Sequence, residues 1–392
     1  MQDRIPGFKL DRLRRLTDDT GVMQHALYAL PNSHHGYSVD DQARALIVVL
    51  KHFNLVGAWE SLDLASTYLR FLNYAQLPDG RFHNFMSFDR RWEDPVGSED
   101  CNGRAVWALG YTALTGVEED LQITAKEMMV RSYPWLRRLR FLRARAFAIT
   151  GLYYYLHAEP EDERARDLVQ RHATALVEAF ERTAGQGWEW FEDNLTYSNG
   201  RLPYALLLAY LVTWNQRYLE VAKASLDFLL KVVHIESPET ICLVGQSGWY
   251  PRGGECARFD QQPVDASALV DACLAAYHVL GDRRYLAEAH MAFEWYHGRN
   301  ILGCSLYCEH TGGCFDGLTP HGANRNQGAE STISYLLAYL NMVESGLLAL
   351  NEVTRDKRRN QPVVPKLAPV RPSSVARRKR VDRETPVGYH KR

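Results

Sequence analysis

Residues 36–50, GYSVDDQARALIVVL, join a polar approach to a helical segment that is apolar nearly all round. The first turn carries two consecutive carboxylates, Asp40 and Asp41. A helix without a polar face is typical of burial inside a large helical protein. Aspartate at a helix start also satisfies free backbone N–H groups, so the two side chains are either caps or acids that face a substrate.

The same arrangement of polar approach and apolar helix recurs along the chain. Its six equivalent positions are Asp41, Asp100, Arg143, Pro203, Asp265 and Glu330. Each interval holds a second, more amphipathic segment, such as DERARDLVQRHATALVEAFERT at 162–183. Six buried helices that alternate with six half-exposed ones predict an all-α fold, an (α/α)6 toroid with an inner and an outer ring. Few stretches alternate with period two, which disfavours a sheet.

Composition limits the class of protein. Of the 392 residues, 46% are hydrophobic and 24% charged, as in soluble globular proteins. The longest apolar run, YALLLAYLV at 204–212, is shorter than the roughly 20 residues that cross a bilayer, so no membrane span is predicted. Seven cysteines and a polar N-terminus without a signal peptide predict a cytoplasmic protein with reduced thiols.

The C-terminal residues 353–392 differ from the rest of the chain. They carry 13 Lys and Arg against 3 Asp and Glu, are rich in proline and show no apolar period. This composition predicts a disordered basic tail after a barrel domain at 1–352. Because basic runs specify little by themselves, we expect a solvated extension and no nucleic-acid partner.

Several motifs resemble known carbohydrate-active proteins. The repeat resembles the six-hairpin glycosidase superfamily, and Asp40-Asp41 resembles the pair that supplies nucleophile and acid in endo-α-1,6-mannanases. DDTG at 18–21, FDQQP at 259–263 and NQGAEST at 326–332 are similar to those of a bacterial group that accompanies glycosyltransferases and mannoside phosphorylases. The resemblance implies a role in carbohydrate metabolism and a glycosyltransferase as a possible partner.

Carboxylates occupy four of the six equivalent positions, and all four would face one rim. If these side chains served only as helix caps, Ser, Thr and Asn would be expected at these positions as readily as Asp. Gathered like charges raise pKa values, as glycoside hydrolysis requires of its acid. We therefore predict an acid–base pair drawn from Asp41, Asp100, Asp260 and Glu330, preferably Asp41 with Asp100.

The loops before the inner helices, such as GQSGWYPRGGECARFDQQP at 245–263, combine aromatic rings with planar polar groups that suit sugars. In these loops Arg252 either binds an anionic group or neutralises Asp260. Predicted substrate-binding residues are His25, Asp40, Arg44, Arg104, Trp190, Trp249, Arg252, Gln261, Gln262 and Asp265.

These features predict a hydrolase of a short oligosaccharide that acts without a cofactor, and the resemblance implies mannose as one of its sugars. The cysteines and histidine of CSLYCEHTGGC at 304–314 lack the spacing of structural zinc sites, so no metal is predicted. An epimerase or isomerase of the same toroid is one alternative, and its activity would depend on His25. Another is a non-catalytic carbohydrate-binding partner of a glycosyltransferase.

Overall fold

The computed structural model describes residues 5–115, 118–349 and 367–370. Twelve α-helices lie in these ranges. Six form an inner ring: α2 Val39–Val56, α4 Glu99–Thr115, α6 Leu142–Ala158, α8 Arg201–Thr213, α10 Pro263–Leu280 and α12 Ala329–Glu344. The outer helices are α1 Asp11–Leu16, α3 Glu60–Ala75, α5 Glu119–Leu136, α7 Glu163–Thr183, α9 Gln216–Val233 and α11 Arg284–Glu294. Each inner helix packs on the next, and α12 packs on α2, which closes the ring and confirms the (α/α)6 toroid.

The two rings differ as their sequences predict. The inner helices are buried almost all round, whereas α7 buries one stripe that includes Leu168, Leu176 and Phe180. Small residues let inner helices approach closely: a Cβ added to Gly110 of α4 would lie 1.9 Å from the carbonyl oxygen of Gly151 in α6. Glycine is therefore required where these two backbones meet.

Short strands organise the loops that feed the inner helices. Their bounds are β1 Ala26–Leu27, β2 Leu30–Pro31, β3 Tyr37–Ser38, β4 Phe85–Met86, β5 Asn194–Leu195, β6 Tyr250–Pro251, β7 Tyr307–Cys308, β8 Gly313–Cys314, β9 Gly317–Thr319 and β10 Gly322–Asn324. They form five antiparallel pairs. The β3–β4 pair joins the loops before α2 and α4, and the β5–β6 pair joins the loops before α8 and α10, so these loops form part of a rim at the N-terminal ends of the inner helices.

One helix of the described residues, α10, is long and apolar enough to cross a membrane. It is 78% buried inside the protein, where it packs against α8, α11 and α12. Its apolar surface therefore packs against the neighbouring helices of the barrel.

Most of the predicted disordered tail, 353–366 and 371–392, lies outside the described residues. The disorder prediction is wrong for residues 367–370, which lie against the barrel. Val370 is buried and donates its N–H to the carbonyl of Leu211 at 3.1 Å, and the amide of Ala368 donates to the hydroxyl of Tyr153 at 2.9 Å. This Leu-Ala-Pro-Val stretch has apolar surface to bury, unlike the basic residues around it.

Candidate functional site

The structure brings together acidic side chains from α2, α4, α10 and α12 at one end of the ring. Burial first, and then the charge of Glu330, raises the pKa of both Asp41 and Asp265, which lie on different helices. Burial disfavours the charge of Arg104, but Asp40, Asp100 and Glu330 outweigh burial and raise its pKa. Charges that act on one another in this way lie close together, so these residues form one acidic group inside the rim, and the depression named below is the region that they surround.

Asp41 does not cap its own helix. Ser38 is the cap of α2, because its hydroxyl accepts the N–H of Asp41 at 3.2 Å. The carboxylate of Asp41 does not cap the helix, and it accepts hydrogen bonds from the hydroxyl of Ser38 at 2.7 Å and from Nη2 of Arg44 at 2.9 Å. Burial, together with the charges of Glu330 and Asp40, raises the pKa of Asp41 to about 6. Asp41 is thus a buried acid that binds a proton more tightly than an ordinary aspartate, as a general acid must.

Two buried arginines hold the acidic residues of α2. Arg44 spans Asp41 and Glu330, with Nη1 lying 3.0 Å from Oε2 of Glu330. Arg104 of α4 donates to Asp40 at 2.9 Å. The side chain of Glu330 is 46% exposed, whereas that of Arg44 is only 4% exposed. The arginines therefore form the inner wall, and Glu330 faces the opening.

Asp100 is half-buried at the start of α4, the helix that packs next to α2, and accepts the hydroxyl of Tyr197 at 2.6 Å. Burial and the charge of Asp100 raise the pKa of Tyr197, so the phenol remains a donor. Arg143 lies over the Tyr197 ring, 4.7 Å from its centroid, and its Nη1 donates to Glu192 at 2.8 Å. This packing fixes the orientation of the Asp100 carboxylate.

Asp265 is buried to the same degree as Asp41. One oxygen accepts the N–H of Asn199 at 3.4 Å, and the other is buried without a hydrogen-bond partner in the described residues. Asp265 also lines a small cavity whose other walls are mostly apolar, among them Leu229 and Leu269. Burial, to which the charge of Glu330 adds, raises the pKa of Asp265 to about 7. An uncharged carboxyl is therefore favoured at this position.

Two predicted sugar contacts are wrong because they lie inside the protein. Trp190 has no exposed surface, so it has no face on which a sugar could stack. Gln261 is also fully buried: its amide oxygen accepts from the Leu243 N–H and the Trp295 indole, and its Nε2 donates to the carbonyl of Arg258. Both residues stabilise the loops and do not touch the depression.

Of the two roles predicted for Arg252, neutralisation of Asp260 is not observed, because the two side chains have other partners. Arg252 donates to the carbonyls of Thr183 and Gly185, at 2.9 and 2.8 Å, and so supports the C-terminal end of α7. Asp260 accepts the hydroxyl of Ser247 and sits in a loop, not on an inner helix. Arg252 therefore has a structural contact that the sequence motif did not indicate.

The remaining predicted contacts lie on the rim. Trp249 is half-buried, 6.4 Å from the Tyr197 ring between centroids. Half-buried Gln262 precedes α10 and donates to Gln246 at 3.3 Å. His25 is exposed and lies edge-on to His35 at 4.6 Å.

Sequence reasoning missed five polar residues that contact these acids or their partners: Asn84, Arg143, Glu192, Tyr197 and Asn199. The sequence does point to Arg143, since this residue occupies the position equivalent to Asp41 in its own repeat. Tyr197 and Asn199 lie in the loop segment NLTYSNGR, whose composition matches the other rim loops. Their partners are distant in sequence, so no local pattern identifies them.

Backbone strain is concentrated on this rim. Seven described non-glycine residues have positive φ, and six of them lie in loops that precede inner helices: Tyr28, Arg90, Gln186, Ser198, Trp249 and Asp260. Such conformations cost on the order of 1–3 kcal/mol each and cluster at functional sites. Over the described part of the chain, no group of three His, Cys, Asp or Glu side chains is placed to hold a metal ion.

Comparisons with known proteins agree with this architecture. No family model and no curated protein matches the chain. Among solved structures, a cellobiose 2-epimerase from Bacillus thermoamylovorans B4167 is similar, with TM-score 0.67, 12% identity and coverage of 87% of this chain and 96% of that one. A D-mannose isomerase has TM-score 0.63, 12% identity and coverage of 86% and 96%.

A third similar structure is the GH76A alpha-1,6-mannanase from Salegentibacter sp. HEL1_6, with TM-score 0.56, 12% identity and coverage of 86% and 98%. Identities this low establish the fold and not the reaction. The chain therefore has the (α/α)6 toroid fold that these epimerase, isomerase and mannanase structures share.

Proposed function

We propose that the protein is a glycoside hydrolase that cleaves a mannose-containing oligosaccharide by carboxyl acid–base catalysis. The observation that carries this proposal is the contrast between two acids of the same depression. Asp41 is buried with its pKa raised to about 6, whereas Asp100 is half-exposed and held by the Tyr197 hydroxyl. Glycosidases need such a division, with one carboxyl protonated and another ionised.

The two acids have distinct roles in this scheme. Asp41 gives its proton to the oxygen of the leaving sugar as the glycosidic bond breaks. Asp100, with one oxygen engaged by Tyr197, uses the other to attack the anomeric carbon or to activate water. Arg44 stabilises the Asp41 carboxylate once its proton has left, since it donates to that group at 2.9 Å.

Groups around the acids suit an uncharged sugar. Trp249 offers an aromatic face beside Tyr197, and the half-exposed Glu330 can accept sugar hydroxyls. Each arginine of the inner wall already has a carboxylate partner, as with Arg44 and Asp41 or Arg104 and Asp40. No arginine of this wall is left for an anionic substrate group, which favours neutral hexoses.

Sugar epimerisation or isomerisation is the second candidate. It is favoured by the TM-scores of 0.67 and 0.63 with the cellobiose 2-epimerase and the D-mannose isomerase, against 0.56 for the mannanase. In this reading the rim histidines His25 and His35 would move the proton. Their exposure makes them weaker acid–base candidates than the buried carboxyls.

Two further properties belong to the proposal. A cytoplasmic location is supported by seven cysteines that are all unpaired. A glycosyltransferase partner is supported by the motif resemblance alone.

A single screen tests the proposed reaction. The full chain is incubated with manno- and gluco-oligosaccharides, aryl glycosides and free reducing sugars, and the products are followed by NMR. Release of reducing ends from glycosides supports hydrolysis. Conversion of a free sugar without release overturns hydrolysis in favour of the second candidate, and glycan binding without any turnover indicates a non-catalytic binder.

A further inference from the structure

A short hairpin stands out on the rim because its apolar side chains face solvent. It consists of β1, the turn residues Tyr28 and Ala29, and β2. Leu27, Tyr28 and Leu30 are 59%, 63% and 70% exposed. Two-residue strands do not hold a hairpin together by themselves, so its conformation must be fixed from outside.

A fully buried arginine supplies part of that support. Arg12 donates to the carbonyl of Ala29 in the turn and, through Nε at 3.0 Å and Nη2 at 2.6 Å, to the carbonyl of Gln327. The turn is also bonded directly to the α12 approach. Tyr28 donates its N–H to Asn326 Oδ1 at 2.9 Å and accepts the Gln327 N–H at 3.0 Å. The turn is therefore rigidly attached to the loop that precedes Glu330.

The hairpin lies between the starts of two inner helices that carry candidate acids. The carbonyl of Gln24, just before β1, accepts the N–H of Ala329, the first residue of α12, at 2.8 Å. The N–H of Gln24 donates to the carbonyl of Gly36, just before β3 and α2, at 3.0 Å. The hairpin thus borders the depression on the side of Asp41 and Glu330.

Tyr28 is held in a costly conformation at this position. Its φ is +53°, in the left-handed region that side chains other than glycine, Asn and Asp rarely adopt. The ring of Tyr28 is largely exposed, so packing does not explain the conformation. A strained, clamped and exposed aromatic beside a cleft is pre-organised for a ligand.

We infer that Tyr28 is a stacking platform for a sugar unit beyond those that flank the cleaved bond. This inference rests on the proposed function and extends it, because it makes the substrate an oligosaccharide longer than a disaccharide. The C–H face of a hexose packs on an aromatic ring, and the neighbouring Leu27 and Leu30 extend the apolar surface. A platform outside the reacting sugars contributes to binding and leaves the chemical step unchanged.

The test compares Tyr28→Ala and Tyr28→Phe with wild type on a disaccharide and on a tetra- or pentasaccharide of the same linkage. Tyr28→Ala should raise KM for the longer substrate about tenfold, the factor expected of one aromatic stacking contact, with kcat unchanged. The disaccharide KM should be unaffected. Tyr28→Phe should behave as wild type, because the ring and not the hydroxyl supplies the contact.

Trp59→Ala is the matched control. Trp59 is 65% exposed and lies between α2 and α3, at the opposite end of the ring. Its loss should leave both KM values unchanged. Equal KM values for Tyr28→Ala and wild type on the longer substrate, with folding intact, would overturn the platform even where hydrolysis is established. A change in sedimentation mass without a change in KM would overturn it in favour of contact with a second copy.

Failure of the proposed function looks different from failure of the platform. If the proposed function is wrong, the wild-type protein turns over no glycoside of any length. The platform is then tested by titrating the pentasaccharide into wild type and Tyr28→Ala by calorimetry, and equal affinities or no binding by either protein reject it.

Discussion

Arg201 at the start of α8 and Asp271 in α10 form an ion pair, with Nη1 and Oδ2 2.5 Å apart and both side chains only 4% exposed. The Arg201 guanidinium lies 4.5 Å from the Trp107 ring of α4, and Asn341 of α12 donates to Asp271. One buried network thus joins four of the six inner helices. It holds the ring together and leaves the charges of the network unavailable to a substrate.

Breaking this pair should destabilise the protein strongly. In Asp271→Asn, Arg201 stays buried without its counter-charge, so we expect a loss of about 3–5 kcal/mol in the free energy of unfolding. Urea denaturation measures this loss. Asp167→Asn is the control, because Asp167 is exposed on α7 and its replacement should change the stability by less than about 0.5 kcal/mol. Equal stability of the two variants would contradict the role of the pair.

Loss of either candidate acid should abolish turnover without unfolding the protein. Asp41→Asn and Asp100→Asn remove the proton donor and the nucleophile or base of the proposed reaction, so kcat should fall by about 10²–10⁴ on the substrate that the screen identifies. Melting temperatures should stay near that of wild type, because Arg44 keeps Glu330 as its counter-charge after loss of Asp41, and Asp100 is only half-buried. Asp167→Asn again serves as the control. Retained activity in both site variants would reject this pair.

Stability should fall as pH rises through the range in which Asp265 titrates. Its folded-state pKa is raised to about 7 by burial first and then by the charge of Glu330, while Asn199 and Arg143 act against the increase. A raised carboxyl pKa means that the folded state binds the proton more tightly than the unfolded state. The stabilisation is therefore complete below about pH 4 and is lost by about pH 7.

Asp265→Asn tests this dependence. Between pH 4.5 and 8 the free energy of unfolding of wild type should fall relative to that of the variant, by at most about 4 kcal/mol. Denaturant titrations at several pH values measure the difference. A difference that does not vary with pH would show that the group is not titrating in this range.

Two adjacent glutamines should differ sharply. Gln261→Ala leaves the Leu243 N–H and the Trp295 indole without their acceptor inside the core, at a cost of about 2–4 kcal/mol. Gln262→Ala removes one partly exposed contact with Gln246 and should cost less than about 0.5 kcal/mol. Urea midpoints of the two variants measure this contrast. A larger loss from Gln262→Ala would contradict the assignment of Gln261 to the core.

The sequence predicted much of the fold because local features encode it. Apolar residues all round the segment that starts at Val39, and one apolar stripe on the segment that starts at Glu163, distinguish inner from outer helices without knowledge of their neighbours. The position of a carboxylate at a helix start is equally local. This is why the sequence predicts that Asp41 and Asp100 lie on one rim.

Only the tertiary structure decided which partner each of these groups has. That Arg104 binds Asp40, that Tyr197 holds Asp100 and that Trp190 lies in the core depend on contacts between hairpins. The sequence of a loop has no periodic pattern that reveals which side chains are buried. The effect of one carboxylate's charge on the pKa of another depends on their distance in space. The sequence alone therefore determined the ring and its acidic rim, whereas burial and pairing across the ring determined which acid can hold a proton.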